Sequence, residues 1–356
     1  MSTAQGVCRG RTAAALFAAL LVLPAFAQQE KSGEAPAPPP DLPQPALPAA
    51  LAAKARLLDI ARAGSRLVAV GEQGVIVVSD DGSQWRQAGS PVSVMLTRLS
   101  FLDEKQGWAV GYDASILHTG DGGLSWSLQH RDPKARPLYD VLFLDAQNGI
   151  AVGGYGGYYK TTDGGKNWES QSFPLTDVGQ HFNRLLRLDG GLLFMAGERG
   201  MLARSKDGGA TWEMLRSPYA GSYFGALAFG GRKVMVYGMR GNVYVADDIA
   251  ACPTQDPSKF DAYAAESLTG AAQIAALGWR RLDSSTKQSL YGGSRLPNGE
   301  ALLVGFNGIA VASSPAADKL TPVATGAEQT LTDVIAYKDR LIAVGKLGVQ
   351  ELRRGP

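Results

Sequence analysis

The sequence predicts an all-β fold, a seven-bladed β-propeller of four-stranded antiparallel blades, on three observations. A short strand ending in glycine recurs seven times. Each copy is continuously apolar instead of alternating. A Ser/Thr-x-Asp-x-Gly-x-x-Trp turn follows several of the copies at a fixed offset.

The recurring strand is Leu67-Val68-Ala69-Val70-Gly71, then Gly107 to Gly111, Ile150 to Gly153, Phe194 to Gly197, Met235 to Gly238, Leu302 to Gly305 and Ile342 to Gly345. The closing glycines lie 40, 42, 44, 41, 67 and 40 residues apart, so one repeat carries an insertion. Alternation would leave one strand face wet, whereas a continuous apolar run needs cover on both faces. Sheets stacked face to face around an axis supply that cover, and a four-strand repeat of about 40 residues is the period of propeller blades. Each unit reads as strand A (Asp140 to Leu144, for example), the apolar strand B, a strand C such as Tyr158 to Thr161, and a strand D that starts at a Trp.

The C–D turns carry Thr119-x-Asp121-x-Gly123-x-x-Trp126, Thr161-x-Asp163-x-Gly165-x-x-Trp168 and Ser205-x-Asp207-x-Gly209-x-x-Trp212, with a shorter version at Ser79, Asp81 and Trp85. Hydroxyl and carboxylate groups bond turn amides, Gly accepts a positive φ, and Trp buries a large face between blades. This is the Asp box of the bacterial neuraminidase repeat. It describes how a hairpin is built, so Asp81, Trp85, Asp121, Trp126, Asp163, Trp168, Asp207 and Trp212 read as structural. Blades five to seven lose the motif. Blade five instead takes an insertion over 248–278 containing Cys252, with a short helix expected between Ala262 and Leu277 and a delayed strand D at Trp279. Blade seven ends after about three strands, and because an open edge invites pairing, the segment before Leu58 is expected to supply the missing outer strand.

Ahead of the propeller (51–356) lie two other segments. Arg9 and Arg11, the apolar run Ala13 to Val22, and Ala25-Phe26-Ala27 read as a signal peptide over 1–27. The run is short of the ~20 apolar residues a span requires, so a protein exported to the periplasm or beyond, soluble after cleavage, is expected. Residues 28–50 hold seven prolines and read as a linker. Removing Arg9 and Arg11 leaves 33 basic residues against 33 acidic. That balance argues against nucleic-acid or anionic-membrane binding by bulk attraction. Cys252 is the one cysteine left after cleavage, so no internal disulfide is available and the thiol reads as an inert core residue. His118, His130 and His181 show no ligand spacing, and neither a metal nor a cofactor is expected.

Blade two (Leu96 to Asp103, Gly107 to Gly111, Ile116 to Thr119) and blade three (Leu138 to Asp145, Gly149 to Gly153), with their Asp boxes, resemble the photosystem II stability and assembly factor family. The resemblance covers about Leu57 to Leu352. It implies a non-enzymatic, seven-bladed propeller delivered to the far side of a membrane. Photosynthetic members help assemble a membrane complex by binding one of its protein subunits. Relatives occur in bacteria without photosynthesis, so what carries over is a propeller that attends a membrane protein.

Strand A starts on the face of the B–C turns, opposite the Asp boxes. Residues near its start ring the channel mouth: Asp59, Arg98, Asp140, Arg184, uncharged positions near Ala226 and Gly293, and Asp333. A ring of mutual ion pairs is the plainer reading for Asp59, Arg98 and Asp140. The B–C turns add Glu72, Asp113, Tyr155, Glu198, Arg199, Arg240, Phe306 and Lys346. Arg beside aromatics is the composition of interface hot spots. Arg98, Arg184, Arg199, Arg240, Tyr155 and Tyr223 are therefore the candidate partner-binding residues, weighed against a solvated rim in which Glu198 neutralises Arg199. A protein partner, a membrane protein or envelope complex, and a monomeric scaffold are expected. The alternative is a carbohydrate-binding or glycosidase-like propeller. The sialidase Arg-Ile-Pro motif is missing, and Arg neighbours are expected to keep Asp59, Asp140 and Asp333 ionised and unsuited as acids.

Overall fold

The computed structural model describes residues 42–353. The expected signal peptide and the first part of the linker lie outside these residues. Seven antiparallel sheets follow one another in strand order A-B-C-D, six with four strands and the last with three. The A strands are Leu57–Ala63, Leu96–Phe101, Leu138–Phe143, Phe182–Arg187, Tyr223–Ala228, Leu290–Arg295 and Leu331–Tyr337. Each packs against the next and the last returns to the first, so the ring of seven closes.

Every B strand is buried along almost its whole length, on both faces. Between blades one and two, Val68 and Val70 meet Leu99, Ala109, Leu117 and Trp126. The seven closing glycines share one cause. A Cβ on Gly71 would overlap the carbonyl of Arg56, and one on Gly153 that of Pro137; the other five meet the equivalent carbonyl just ahead of strand A. There strand A carries a one-residue bulge in every blade, at Leu58, Thr97, Tyr139, Asn183, Phe224, Tyr291 and Thr332. The bulge brings the backbones of A and B too close for a side chain.

The C–D hairpins are held by the bonds their residues allow. In blade two the Thr119 hydroxyl donates to Asp121 (2.8 Å) and accepts from the Gly123 amide (2.9 Å), while Asp121 accepts the amides of Leu124 and Ser125. Blades three and four repeat this at Thr161/Asp163 and Ser205/Asp207. Asp163 and Asp207 are held down to a pKa of about 2: the Asn167 and Thr161 bonds lower that of Asp163, and in Asp207 the Thr211 and Ser205 bonds outweigh burial. Each hairpin leans on the preceding blade, Gly123 on Val68 and Gly209 on Ile150. Trp85, Trp126, Trp168, Trp212 and Trp279 each stand directly before a strand D.

Ring closure differs from the expectation. Among the described residues none before Leu57 forms an outer strand; Ala52–Lys54 make a single 3-10 turn beside the last strand, Gly348–Leu352, which has no fourth partner among them. Blade one holds blade seven by other bonds. The Thr332 hydroxyl donates to the Leu57 carbonyl (2.7 Å), and the Tyr337 hydroxyl lies 2.9 Å from the carbonyls of Ser65 and Asp80. The packed chain also begins ahead of residue 51, since Ala46 bonds Ser90 and Ala49 bonds Gln87.

Within the insertion, the helix is confined to Ala271–Ala276. The segment is anchored by Arg204, whose guanidinium donates to the carbonyls of Ile249, Ala250 and Cys252. Cys252 is buried beside Ile274, Leu277 and Trp279, and burial pushes its thiol pKa up to about 11. No helix among the described residues is long and apolar enough to cross a membrane.

Candidate functional site

The strand-A bulge decides which side chains reach the axis. The residue after it points inward, giving Asp59, Arg98, Asp140, Arg184, Gly225, Gly292 and Asp333. The uncharged positions are thus Gly225 and Gly292, one residue before those expected. Tyr237 of blade five fills the space beside Gly225, where a Cβ would strike its ring.

The charges are mostly mutual. Arg98 reaches Asp59 at 2.8 Å and Asp140 at 3.8 Å, and Arg184 reaches Asp140 at 3.5 Å. Burial works against the charge on Arg98, yet Asp59, Asp140 and Asp333 together hold its pKa above the ordinary value. The acids also stitch blades together: Asp59 accepts the Leu99 amide, Asp140 the Leu185 amide and Asp333 the Gly293 amide. Asp333 breaks the expectation that Arg neighbours keep the ring ionised. Burial first, then the charge of Asp59 to which it is hydrogen-bonded, push its pKa well above the carboxylate range, with Arg98 opposing.

Two of the candidate partner-binding residues belong to the interior. Arg98 is committed to the buried ring. Tyr223 is 0% exposed, its hydroxyl 2.9 Å from that of Ser217 and its ring packed edge-on to Tyr219 and Tyr244. Tyr223 directly precedes the bulge residue Phe224, and successive side chains of a strand face opposite ways. Arg184 is partly exposed and leans on Asp140.

Tyr155, Arg199 and Arg240 stand on the B–C face. Each is the middle residue of a 3-10 turn (Gly154–Gly156, Glu198–Gly200, Met239–Gly241) with φ of 54°, 51° and 57°. Non-glycine residues pay to adopt this left-handed conformation, and such positions concentrate at functional sites. Tyr155 is 61% exposed. Its ring is covered on one side by the Arg136 guanidinium at 4.8 Å and meets the edge of His181 at 4.6 Å, with Tyr139 beyond. Glu198 does not neutralise Arg199; it lies 3.6 Å from His181. Arg199 instead stacks on Tyr263 of the insertion at 4.3 Å. Arg136, Arg199 and Arg240 enter no ion pair among the described residues. Arg136, Tyr139, His181 and Tyr263 were not among the sequence candidates. Arg136 comes from a D–A connection and Tyr263 from the insertion, where the repeat offers no register to read.

A family model described as Photosynthesis system II assembly factor YCF48 matches residues 129–256, which span blades three and four and the first three strands of blade five. Similar solved structures include "YCF48 bound to D1 peptide" (20% identity, TM-score 0.61, covering 85% of this chain and 94% of that one). They also include "YCF48 from Cyanidioschyzon merolae" (15% identity, TM-score 0.62, 85% and 96%). The WD40 β-propeller domain of Doa1 is similar at 11% identity, TM-score 0.59, 87% and 95%. No curated protein matches the sequence. The chain is a seven-bladed β-propeller, and the family model of the photosystem II assembly factor matches it over blades three and four and most of blade five, about a third of its length.

Proposed function

We propose that this propeller is a non-catalytic, exported scaffold. It binds a protein segment across the B–C face of blades three to five and assists the assembly or stability of a membrane protein or envelope complex. One observation carries the reading. Tyr155, Arg199 and Arg240 occupy the same left-handed turn position in three successive blades, and neither arginine has an acid partner among the described residues. Guanidinium is weakly hydrated and forks onto carboxylates or peptide carbonyls, and adjacent aromatic rings exclude water from those bonds. The similar structure named as bound to a D1 peptide supports a protein partner. The ring acids support the absence of catalysis. Asp59, Asp140 and Asp333 are buried and accept backbone amides, whereas glycosidase chemistry needs two carboxyl groups facing a substrate.

The test is capture of envelope-membrane proteins by purified chain. Replacing Arg199 and Arg240 together with Glu should weaken capture by over about tenfold, some 1.4 kcal/mol, with little change in melting temperature because exposed charges contribute little to folding. Unchanged capture by the double variant would overturn the assignment.

A further inference from the structure

On the blades that follow that surface, six, seven and one, a cleft of about 430 Å³ opens at the channel mouth. Its walls are apolar: the Phe306 ring, 41% exposed, the Tyr291 ring and the Leu58 side chain. Thr332 also lines it, but its hydroxyl is already spent on the carbonyls of Leu57 and Val344. The walls are held in place. The Phe306 amide donates to Ser289 in a 3-10 turn, and Tyr291 rests against Phe224 with ring centres 5.4 Å apart.

The charge at this cleft is of one sign. Arg56 and Lys346 stand at its rim, both exposed, and Arg98 lies at its base. No carboxyl group lines it. The nearby Glu72 carboxyl accepts the Arg56 backbone amide at 3.1 Å. Neither Arg56 nor Lys346 has an ion-pair partner among the described residues. At the base, Arg98 faces Asp59 through one terminal nitrogen, while its buried Nε makes no hydrogen bond and turns toward Asp140 at 3.8 Å. Concave, mostly apolar sites of about 300–1,000 Å³ with a few convergent polar groups are the usual form of small-ligand pockets.

We infer that this cleft binds a small organic monocarboxylate with an aromatic or branched apolar body, the body against Phe306 and Tyr291 and the carboxylate between Arg56 and Lys346. The apolar walls select against acetate-sized anions, and the unopposed cations select against neutral isosteres. The site is separate from the protein-binding surface of blades three to five, and its test does not depend on that reading.

The experiment is calorimetric titration of the purified chain with 3-phenylpropanoate, with its neutral amide, and with acetate. Saturable binding of the carboxylate is expected with a Kd below about 1 mM, and the amide and acetate should each bind at least about tenfold more weakly. Arg56→Gln with Lys346→Gln, and separately Phe306→Ala, should each cost about tenfold, while Arg232→Gln, on the A–B turn of blade five, should leave binding unchanged. These side chains are exposed, and circular dichroism on each variant confirms that the fold is kept. The inference is overturned by no saturable binding up to about 10 mM, by equal binding of acid and amide, or by the Arg56/Lys346 variant binding as the parent does.

Discussion

Asp333 is the acid whose protonation the structure ties most directly to stability. It is buried at the junction of blades seven and one, accepts the Gly293 amide at 3.0 Å, and is hydrogen-bonded to Asp59. Its folded-state pKa is raised above the unfolded value of ~3.9. The contribution of such a group is fully present below the unfolded pKa and is lost as pH rises through the folded pKa. Between the two values each pH unit costs about 1.4 kcal/mol. Asp333→Asn removes the titration but keeps an acceptor for Gly293, and its amide can donate to Asp59. The variant should therefore match the parent near pH 4 and gain on it with rising pH, at up to that slope. Asp333→Ala leaves the buried Gly293 amide without an acceptor and should lose about 1–3 kcal/mol relative to Asn. Urea midpoints of all three proteins from pH 4 to 8 decide the matter. A gap between parent and Asn variant that stays constant with pH would refute the reasoning, as would an Asn variant less stable than the parent at pH 7 by over about 1 kcal/mol.

Trp168 is buried between blades two and three and meets Phe143 edge-on at 5.7 Å; Trp168→Ala should cost about 3–5 kcal/mol in denaturant unfolding. Asp163 has its pKa depressed to about 2, so its stabilisation is present above the unfolded pKa and disappears as pH falls. The stability gap between parent and Asp163→Asn should close between pH 4 and pH 2, read from acid-unfolding curves. Arg240 sits at φ 57°, where glycine relieves strain of about 1 kcal/mol and a β-branched residue adds to it. Arg240→Gly should keep or raise the melting temperature while lowering partner capture, and Arg240→Val should lower both.

The blades were legible because strand B leaves little choice. Three or four apolar residues and a closing glycine, seven times over, need two covered faces and a close backbone approach at the end, and only a ring of stacked sheets supplies both. The site was less legible, and the strand-A bulge explains much of the difference. One extra residue at Thr97 or Phe224 reverses which neighbours face the axis. Tyr223 therefore falls into the core, and Gly225 and Gly292 replace Ala226 and Gly293 in the ring. Tyr237 reads as one more apolar residue of strand B, and its place beside the axis depends on a gap left by Gly225. Nothing in the repeat marks Arg136, which meets Tyr155 only because a D–A connection passes over the neighbouring turn. Closure at blade seven was misjudged for a related reason. Tyr337 and Thr332 make the bonds that an outer strand was expected to make, from positions where sequence shows only an ordinary strand A.

The polar groups near the axis and those on the turns do different work. At the start of strand A, polar side chains reach across to the next blade: Thr97 to the Leu138 carbonyl, Asn183 to the Tyr223 carbonyl, Asp140 to the Leu185 amide, Thr332 to the Leu57 carbonyl. Each satisfies a buried backbone group that water cannot reach, so exchanging one of them puts ring closure at risk before it touches any partner. The turn residues carry no such duty. At Tyr155, Arg199 and Arg240 the first amide of the turn bonds the residue just ahead of its own strand A, as Glu198 does His181, and in the first two turns the glycine bonds the connection to the next blade, as Gly156 does Gln180. The side chain is left to face outward. A propeller built this way can change what it recognises at one turn without disturbing its blades. Unopposed cations at those turns are for that reason better evidence of a partner than the more numerous charges at the axis.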